Sequence, residues 1–420
     1  MKYIIIGNSA AAIGTVEAIR RIDADGELII ISDEPYHTYS RPLISYYLAG
    51  KVSEEKMHYR DLDFYEKNRV TKKFGVRVED ILPAEKKVLL ADGEQISYDK
   101  LLIATGGTPF IPPLKGGDKK GVYTFIKFDD VKNISEELNE VKNILIIGAG
   151  LIGLKAAEGL ASEERKITVV ELAERILPAI LDEQASKLVQ KHLEKKGISF
   201  NLGTSVSELR GEERVSSALL ADGEELPADL VVVAVGVRPN TSCLGCAEIK
   251  INRGILIDEY CRTSDPDIYA AGDVSEGFDM LFQEQRVLPI LPNAYRQGEA
   301  AGLNMAGKET VFKGGFAMNS IGFFGLPMIT AGIIKPEGDE YFQESCLDEE
   351  KKIYRKLVIK DNRIKGFILL NDIDRAGILT GMMNEEIDVS PFLDKFIEGD
   401  FSYANLPKDL RDRRLQKGGK

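Results

Sequence analysis

Residues 143–162 read NILIIGAGLIGLKAAEGLAS. Four aliphatic residues run into a glycine turn, and an alanine-rich segment of helical texture follows. The turn, Gly148-Ala149-Gly150-Leu151-Ile152-Gly153, is a complete G-x-G-x-x-G. Each glycine has a physical reason. Gly148 makes the tight exit from the strand, Gly150 lets a diphosphate approach the backbone, and Gly153 lets helix and strand pack closely. Leu151 and Ile152 fill the turn between them. The free N–H groups at the start of the helix then present a partial positive charge to an anion. The next apolar strand ends at Glu171, about 20 residues on, where an acid can accept from ribose hydroxyls. A carboxylate there repels a 2′-phosphate, and no arginine follows before Arg175. The loop is therefore expected to hold NADH in preference to NADPH.

The same order occurs once more, in a less regular form, at the start of the chain. MKYIIIGNSAAAIGTVEAIR is again a strand, a turn and an alanine-rich stretch, and ELIIISDE supplies the next strand. Gly7 keeps the turn, but Ser9 stands where the second glycine is expected and Ala12 where the third is. Both are small, and Asp33 follows the second strand at the distance a ribose would need. Taken locally, this is either a nucleotide loop with small stand-ins or a strand running into an alanine-rich helix.

Two β-α-β units imply two parallel sheets with right-handed crossovers. Each leads to a similar phrase, VLLADGEQISYDKLLIATGGTP at 88–109 and SALLADGEELPADLVVVAVGVRPN at 217–240. In both, a hairpin with an Asp-Gly turn precedes a fully apolar strand that ends near glycine. From about residue 308 the texture becomes α+β. The strands GGFAMNSIGFFGLPMITAGI and YRKLVIKDNRIKGFILL, the latter turning at Asp-Asn, precede a short helical phrase, IDVSPFLDKFIEGDF, and a polar, locally basic tail. The domain expectation is 1–109 with 236–307 as one nucleotide-binding domain, 110–235 as the other, and 308–420 as an α+β domain.

Composition bounds the rest. A net charge of -12 over 420 residues argues against a nucleic-acid or anionic-membrane surface. No apolar run reaches the ~20 residues of a membrane span, and the opening MKYIIIG is too short for a signal peptide. Four cysteines are too few for a disulfide framework, so a reducing cytoplasm is the expected location.

The intact loop, the Ala104-Thr105-Gly106-Gly107 phrase and the late TSDPDIYAAGD phrase ending at Gly272-Asp273 occur in an order that resembles the FAD-dependent pyridine nucleotide-disulfide oxidoreductase superfamily. Tyr39-Ser40-Arg41-Pro42-Leu43 narrows the resemblance to its NADH:rubredoxin reductases, ferredoxin reductases and nitrite reductase FAD-binding parts. The resemblance covers nearly the whole chain. It implies two three-layer Rossmann-like domains arranged as in glutathione reductase, with FAD in the first and NADH in the second. It assigns Gly7, Ser9 and Ala12 to the FAD pyrophosphate and Asp33 to its ribose. Arg41 is assigned to the FAD phosphates, Thr105 and Gly106 to contact along the FAD, and Gly272 and Asp273 to its ribityl and phosphate region. Asn293 and Ala294 begin a helix, LPNAYRQG, that points at the flavin pyrimidine edge. Gly148, Gly150, Ile152, Gly153, Glu171 and Gly236 are left to the NADH side.

Disulfide reductases of this superfamily carry a redox cysteine after the first β-α-β unit, but no cysteine precedes Cys243 here. Electrons are therefore expected to leave the flavin directly. The acceptor is expected to be rubredoxin or another small iron-sulfur protein, with oxygen as the alternative and an electron-transfer or redox-sensing subunit as a third reading. Cys243-Leu244-Gly245-Cys246 is read as an incidental pair, Cys261 as core in a strand-like phrase, and Cys346 as incidental. Lys155 stands where many relatives have glutamate, and is a candidate for tuning the flavin. His37, His58 and His192 lack metal-ligand spacing, and no metal is expected. Phe323 and Phe324 fall where the family places a homodimer contact near the flavin, with core packing the simpler role.

Overall fold

The computed structural model describes residues 1–411 apart from 246, 400, 407, 409 and 410. The Cys246 half of the C-x-x-C and the end of the basic tail therefore lie outside the described residues. The chain forms two compact units, Met1–Val170 with Thr204–Ala317, and Glu171–Gly203 with residues from Met318 onward.

The first unit contains both β-α-β units. Lys2–Ile6 is the central strand of a five-stranded sheet. Glu27–Ser32 and Val70–Phe74 lie to one side of it, and Lys100–Ile103 and Ile268–Ala270 to the other. All four pairings are parallel. The three inner strands read as apolar runs because both faces are covered, with Ile4, Ile5, Leu101 and Leu102 fully buried, whereas the edge strand Val70–Phe74 is VTKKF and partly exposed. The second β-α-β unit repeats the plan. Asn143–Ile147 pairs in parallel with Lys166–Glu171 and with Leu230–Val233, and the latter pairs with Val122–Tyr123.

The two Asp-Gly phrases each become a three-stranded antiparallel sheet, built from Val78–Leu82, Lys87–Leu90 and Gln95–Ser97 in one case. Val206–Arg210, Ser217–Leu220 and Glu225–Pro227 form the other. Behind the first parallel sheet, the helices Ala10–Arg20 and Leu291–Met305 pack unusually closely. A Cβ on Gly298 would lie 2.0 Å from the Ala11 carbonyl oxygen, and one on Gly302 2.6 Å from that of Thr15. The Thr15 hydroxyl donates across the seam to the Gly298 carbonyl at 2.7 Å.

The second unit carries an antiparallel five-stranded sheet in the order Met318–Phe323, Leu326–Gly332, Arg363–Leu370, Ile353–Lys360, Phe342–Asp348. Asp361 and Asn362 turn its hairpin with φ of 51° and 58°, as the Asp-Asn phrase implies. Phe323 is fully buried and Phe324 takes the positive-φ turn position before Gly325. Asp182 caps the helix Glu183–Glu194 and also accepts from the Tyr354 hydroxyl at 2.6 Å. His192 on that helix contacts the Phe323 carbonyl oxygen at 3.1 Å through Nε2. The α/β fold with a C-terminal antiparallel sheet domain is thus the expected one. Cys261 departs from its strand-like reading. It is fully buried, as a core residue should be, but occupies a turn at φ 61°. Among the described residues no helix is long and apolar enough to cross a membrane.

Candidate functional site: two glycine loops

The two loops share one geometry. Gly7 has φ +114° and its missing Cβ would sit 2.1 Å from the Ala104 carbonyl oxygen; Gly148 has φ +107° and the same atom would sit 2.5 Å from that of Ala234. Each first glycine is therefore pressed against the end of the neighbouring apolar strand, the strand that carries the ATGG or the AVGV phrase. No side chain fits there, and positive φ disfavours one anyway. Each glycine N–H also binds the adjacent strand, Gly7 to Ile31 and Gly148 to Val170, both at 2.8 Å.

At the second position, Ser9 and Gly150 are the N-caps of their helices, both with extended backbone (φ -120° and -79°). A Cβ on Gly150 would meet nothing within 4 Å. Neither backbone angle nor packing thus requires glycine at 150, and the open space in front of it suits a ligand lying on the backbone. Ser9 fills the matching place, and its side chain makes no capping hydrogen bond to the helix it starts. At the third position Gly153 is required by packing, since its Cβ would lie 2.0 Å from the Gly148 oxygen, whereas Ala12 carries a buried methyl. Ile152 is partly buried in the first turn of the second helix.

Around the first loop the structure gathers Arg41, Gly272, Asp273, Asn293 and Ala294. Gly272 (φ +82°) faces the methyls of Ala11 and Ala294 at 3.4 and 3.5 Å from a Cβ position. Gln297 fixes it, accepting the Gly272 N–H at 2.8 Å and the Ser275 hydroxyl at 3.2 Å. Burial raises the Asp273 carboxyl above the usual carboxylate range, and the positive charge of Arg41 opposes the rise. Asn293, 3% exposed in the first turn of the Leu291–Met305 helix, has a buried Nδ2 with no hydrogen-bond partner. An unsatisfied buried donor costs about 1–3 kcal/mol, so it marks a place where an acceptor is missing. The small residues Gly7, Ser9, Ala12 and Gly272 form a cradle that fits a diphosphate lying on the backbone, and Asn293 holds a buried donor in the first turn of the Leu291–Met305 helix.

Thr105 and Gly106 lie on the strap that crosses between the two parallel sheets. The Thr105 hydroxyl donates to the Asn240 carbonyl at 2.6 Å, and Asn240 N–H donates to the Gly106 carbonyl at 2.9 Å. Gly107–Pro109 pairs antiparallel with Val237–Pro239, and Gly236 accepts from the Phe110 N–H at 2.9 Å. The two acids expected at the riboses each have a partner within the chain. Asp33 is half-exposed and paired with Lys127 Nζ at 2.6 Å. Glu171 accepts from the Ala173 N–H at 2.9 Å.

Lys155 is nearly buried, pairs with the buried Glu158 one turn on, and stands over the Tyr46 ring at 4.6 Å. Tyr46 belongs to the helix Ile44–Leu48, which follows the Arg41-Pro42-Leu43 phrase and packs against the Leu151–Leu160 helix. Cys243 is buried, and burial pushes its thiol up to about 12. That is the signature of an inert core thiol. Cys346 is half-buried on an edge strand. No group of three or more metal-ligating side chains occurs among the described residues.

Several residues around the first loop belong to no sequence motif, and for His37 and His58 the sequence showed only the lack of metal-ligand spacing. Asn8, inside the first loop, accepts from the Tyr65 hydroxyl at 2.6 Å and donates to the Tyr36 carbonyl at 3.2 Å. His37 and His58, distant in sequence, pack edge to face at 4.9 Å, with Tyr65 on the other side of His37. Glu34 is buried while its neighbour Asp33 is not. The only sequence signal for Gln297 and Gly298 was their place in the LPNAYRQG phrase.

Paired loops of this kind, joined by a common strap, have the geometry of dinucleotide-binding turns. The model of the family "Pyridine nucleotide-disulphide oxidoreductase" matches residues 1–298, and that of the "Rubredoxin NAD+ reductase C-terminal domain" matches 318–387. The chain is 33% identical over 395 residues to a nitrite reductase [NAD(P)H] of Bacillus subtilis (strain 168), covering 93% of this chain and 48% of that protein. It is 30% identical to the epsilon subunit of an NADH-dependent phenylglyoxylate dehydrogenase of Aromatoleum evansii, covering 94% of each. Among solved structures, an NAD-dependent persulfide reductase from A. fulgidus superposes with a TM-score of 0.86 at 28% identity, over 94% of this chain and 79% of that one. The chain spans about half the length of the first two curated relatives it matches. The chain belongs to the pyridine nucleotide-disulphide oxidoreductase family, an oxidoreductase family that uses FAD and NADH.

Proposed function

We propose that the chain is an FAD-dependent NADH oxidoreductase that passes electrons to a small, separate redox protein such as a rubredoxin or another iron-sulfur carrier. The observation that carries the reading is the pair of glycine loops with different second positions in one unit. Gly7, Ser9, Ala12, Asp33, Arg41, Thr105, Gly106, Gly272, Asp273, Asn293 and Ala294 hold FAD, within 1–109 and 236–307. Gly148, Gly150, Ile152, Gly153, Glu171 and Gly236 hold NADH, within or beside 110–235. Residues 308–420 form the remaining domain, through which a second copy would pair.

FAD held by these residues would supply two-electron chemistry, accepting a hydride from NADH and passing electrons on. The protein's part is binding, orientation and electrostatics. The positive end of the Leu291–Met305 helix, with Asn293, would stabilise negative charge developing on FAD held at this site. Lys155, paired with Glu158 and lying over the Tyr46 ring, is the residue proposed to tune the flavin. No cysteine precedes Cys243, so the segment after the first β-α-β unit carries no thiol to relay electrons. A reducing cytoplasm is the matching location.

The test is reoxidation. The NADH-reduced protein is mixed with rubredoxin, ferredoxin or oxygen under otherwise equal conditions. The reading requires a protein carrier to reoxidise it faster than air-saturated buffer does. Faster reoxidation by oxygen alone would make the chain an NADH oxidase. A second reading, an NADH-oxidising subunit of a larger assembly, is favoured by the end-to-end likeness to a dehydrogenase subunit. It requires a stable iron-sulfur partner to copurify.

A further inference from the structure

Glu34 heads the segment that carries Arg41, and it is 6% exposed. Its Oε1 accepts from the Tyr39 hydroxyl at 2.7 Å and from the Phe128 N–H at 3.4 Å. Its Oε2 accepts from Arg41 Nη2. Arg41 Nη1 donates to the Ile126 carbonyl at 3.1 Å, and the guanidinium lies 5.2 Å from the Tyr39 ring centroid. Both terminal nitrogens of Arg41 are thus held by fixed acceptors on different segments, while its side chain keeps 37% exposure. A guanidinium has five N–H donors, so the contacts to Glu34 and Ile126 leave donors for a further anion. An arginine without such anchors spreads over many rotamers, and that entropy is lost on binding.

We infer that Glu34 is a positioning residue of the FAD site: through Tyr39 and the 126–128 backbone it fixes the Arg41 guanidinium in the orientation that meets the FAD diphosphate. This rests on the FAD reading of the first loop. Simple charge counting gives the opposite expectation. A carboxylate beside Arg41 cancels part of its charge, so removing it would tighten the binding of a diphosphate. Pinning requires that removing it loosens binding. The two accounts differ in sign.

The experiment measures FAD affinity of the FAD-stripped full chain by quenching of FAD fluorescence. The proteins are wild type, Glu34→Gln, Arg41→Lys, the double variant and Tyr39→Phe. Their unfolding midpoints without FAD are measured alongside. Glu34→Gln keeps the shape and removes the charge. Its expected effect is a loss of about tenfold in FAD affinity, the size of one charge-assisted hydrogen bond. In the Arg41→Lys background the same change is expected to cost less than about threefold, because the group it positions is gone. Tyr39→Phe, the milder change, is expected to weaken FAD by roughly threefold if Glu34→Gln folds poorly. Unchanged or tighter FAD binding in Glu34→Gln and Tyr39→Phe, or fully additive losses in the double variant, would overturn the inference. A wild-type chain that takes up no FAD is a separate result and overturns the FAD reading beneath it.

Discussion

Gly7 and Gly150 are both loop glycines, yet they answer to different forces. Gly7 is held by the fold, with positive φ and a carbonyl 2.1 Å from any Cβ. Gly7→Ala is expected to cost roughly 1–3 kcal/mol from backbone strain, with the clash added, read as a lowered unfolding midpoint without ligand. Gly150 is not held by the fold. Gly150→Asp supplies a good N-cap and a favourable charge at a helix start. Stability is expected to be equal or higher, while the KM for NADH rises by about tenfold or more as the carboxylate faces the pyrophosphate. Loss of stability with unchanged KM would place the NADH elsewhere. The glycine fingerprint was fully legible in the sequence because spacing alone encodes it. The choice between Asp33 and Glu34 was not, because which of two adjacent acids turns inward depends on Tyr39, Arg41 and Phe128.

His37 belongs to the same scale. Its pKa is lowered from 6.5 chiefly by burial, with the charges of His58 and Lys72 adding to the effect and its bond to the Arg60 carbonyl opposing it. The unfolded chain therefore binds this proton more readily than the folded one. The stability concerned is fully present above about pH 6.5 and is lost as pH falls toward the folded pKa. Urea midpoints taken between neutral pH and pH about 5 are expected to fall less steeply in His37→Asn than in wild type. Equal slopes would show that His37 does not contribute.

At the scale of elements, the strands and the hairpin turns could be read from alternation and from Asp-Gly and Asp-Asn pairs. The seam between the helices Ala10–Arg20 and Leu291–Met305 could not. Its small residues, Ala11, Gly14, Thr15, Gly298 and Gly302, stand nearly 300 residues apart, and each run alone reads only as an ordinary helix face. The seam matters because both helices begin at the first site. Gly298→Ala would place a methyl 2.0 Å from the Ala11 carbonyl oxygen and must push the helices apart. The expected cost is roughly 1–3 kcal/mol, together with weaker FAD retention, since Ser9 and Asn293 sit at the two helix starts. Full stability with full FAD retention in a gel-filtered sample would contradict this account of the seam.

For the whole molecule, the duplicated plan of parallel sheet plus three-stranded hairpin sheet is what turns two weak local patterns into one assignment. GNSAAA alone is ambiguous; set beside GAGLIG with the same backbone and the same contact to a neighbouring strand end, it is a second loop of one kind. The acceptor was not legible in the sequence, because a docking surface is a patch of side chains from distant segments and carries no spacing rule. The most direct measurement is an anaerobic titration of the purified, FAD-loaded chain with NADH, followed in the visible absorbance of oxidised flavin. The account predicts full bleaching at one NADH per flavin, and faster bleaching by NADH than by NADPH. A flavin that neither nucleotide bleaches would contradict it.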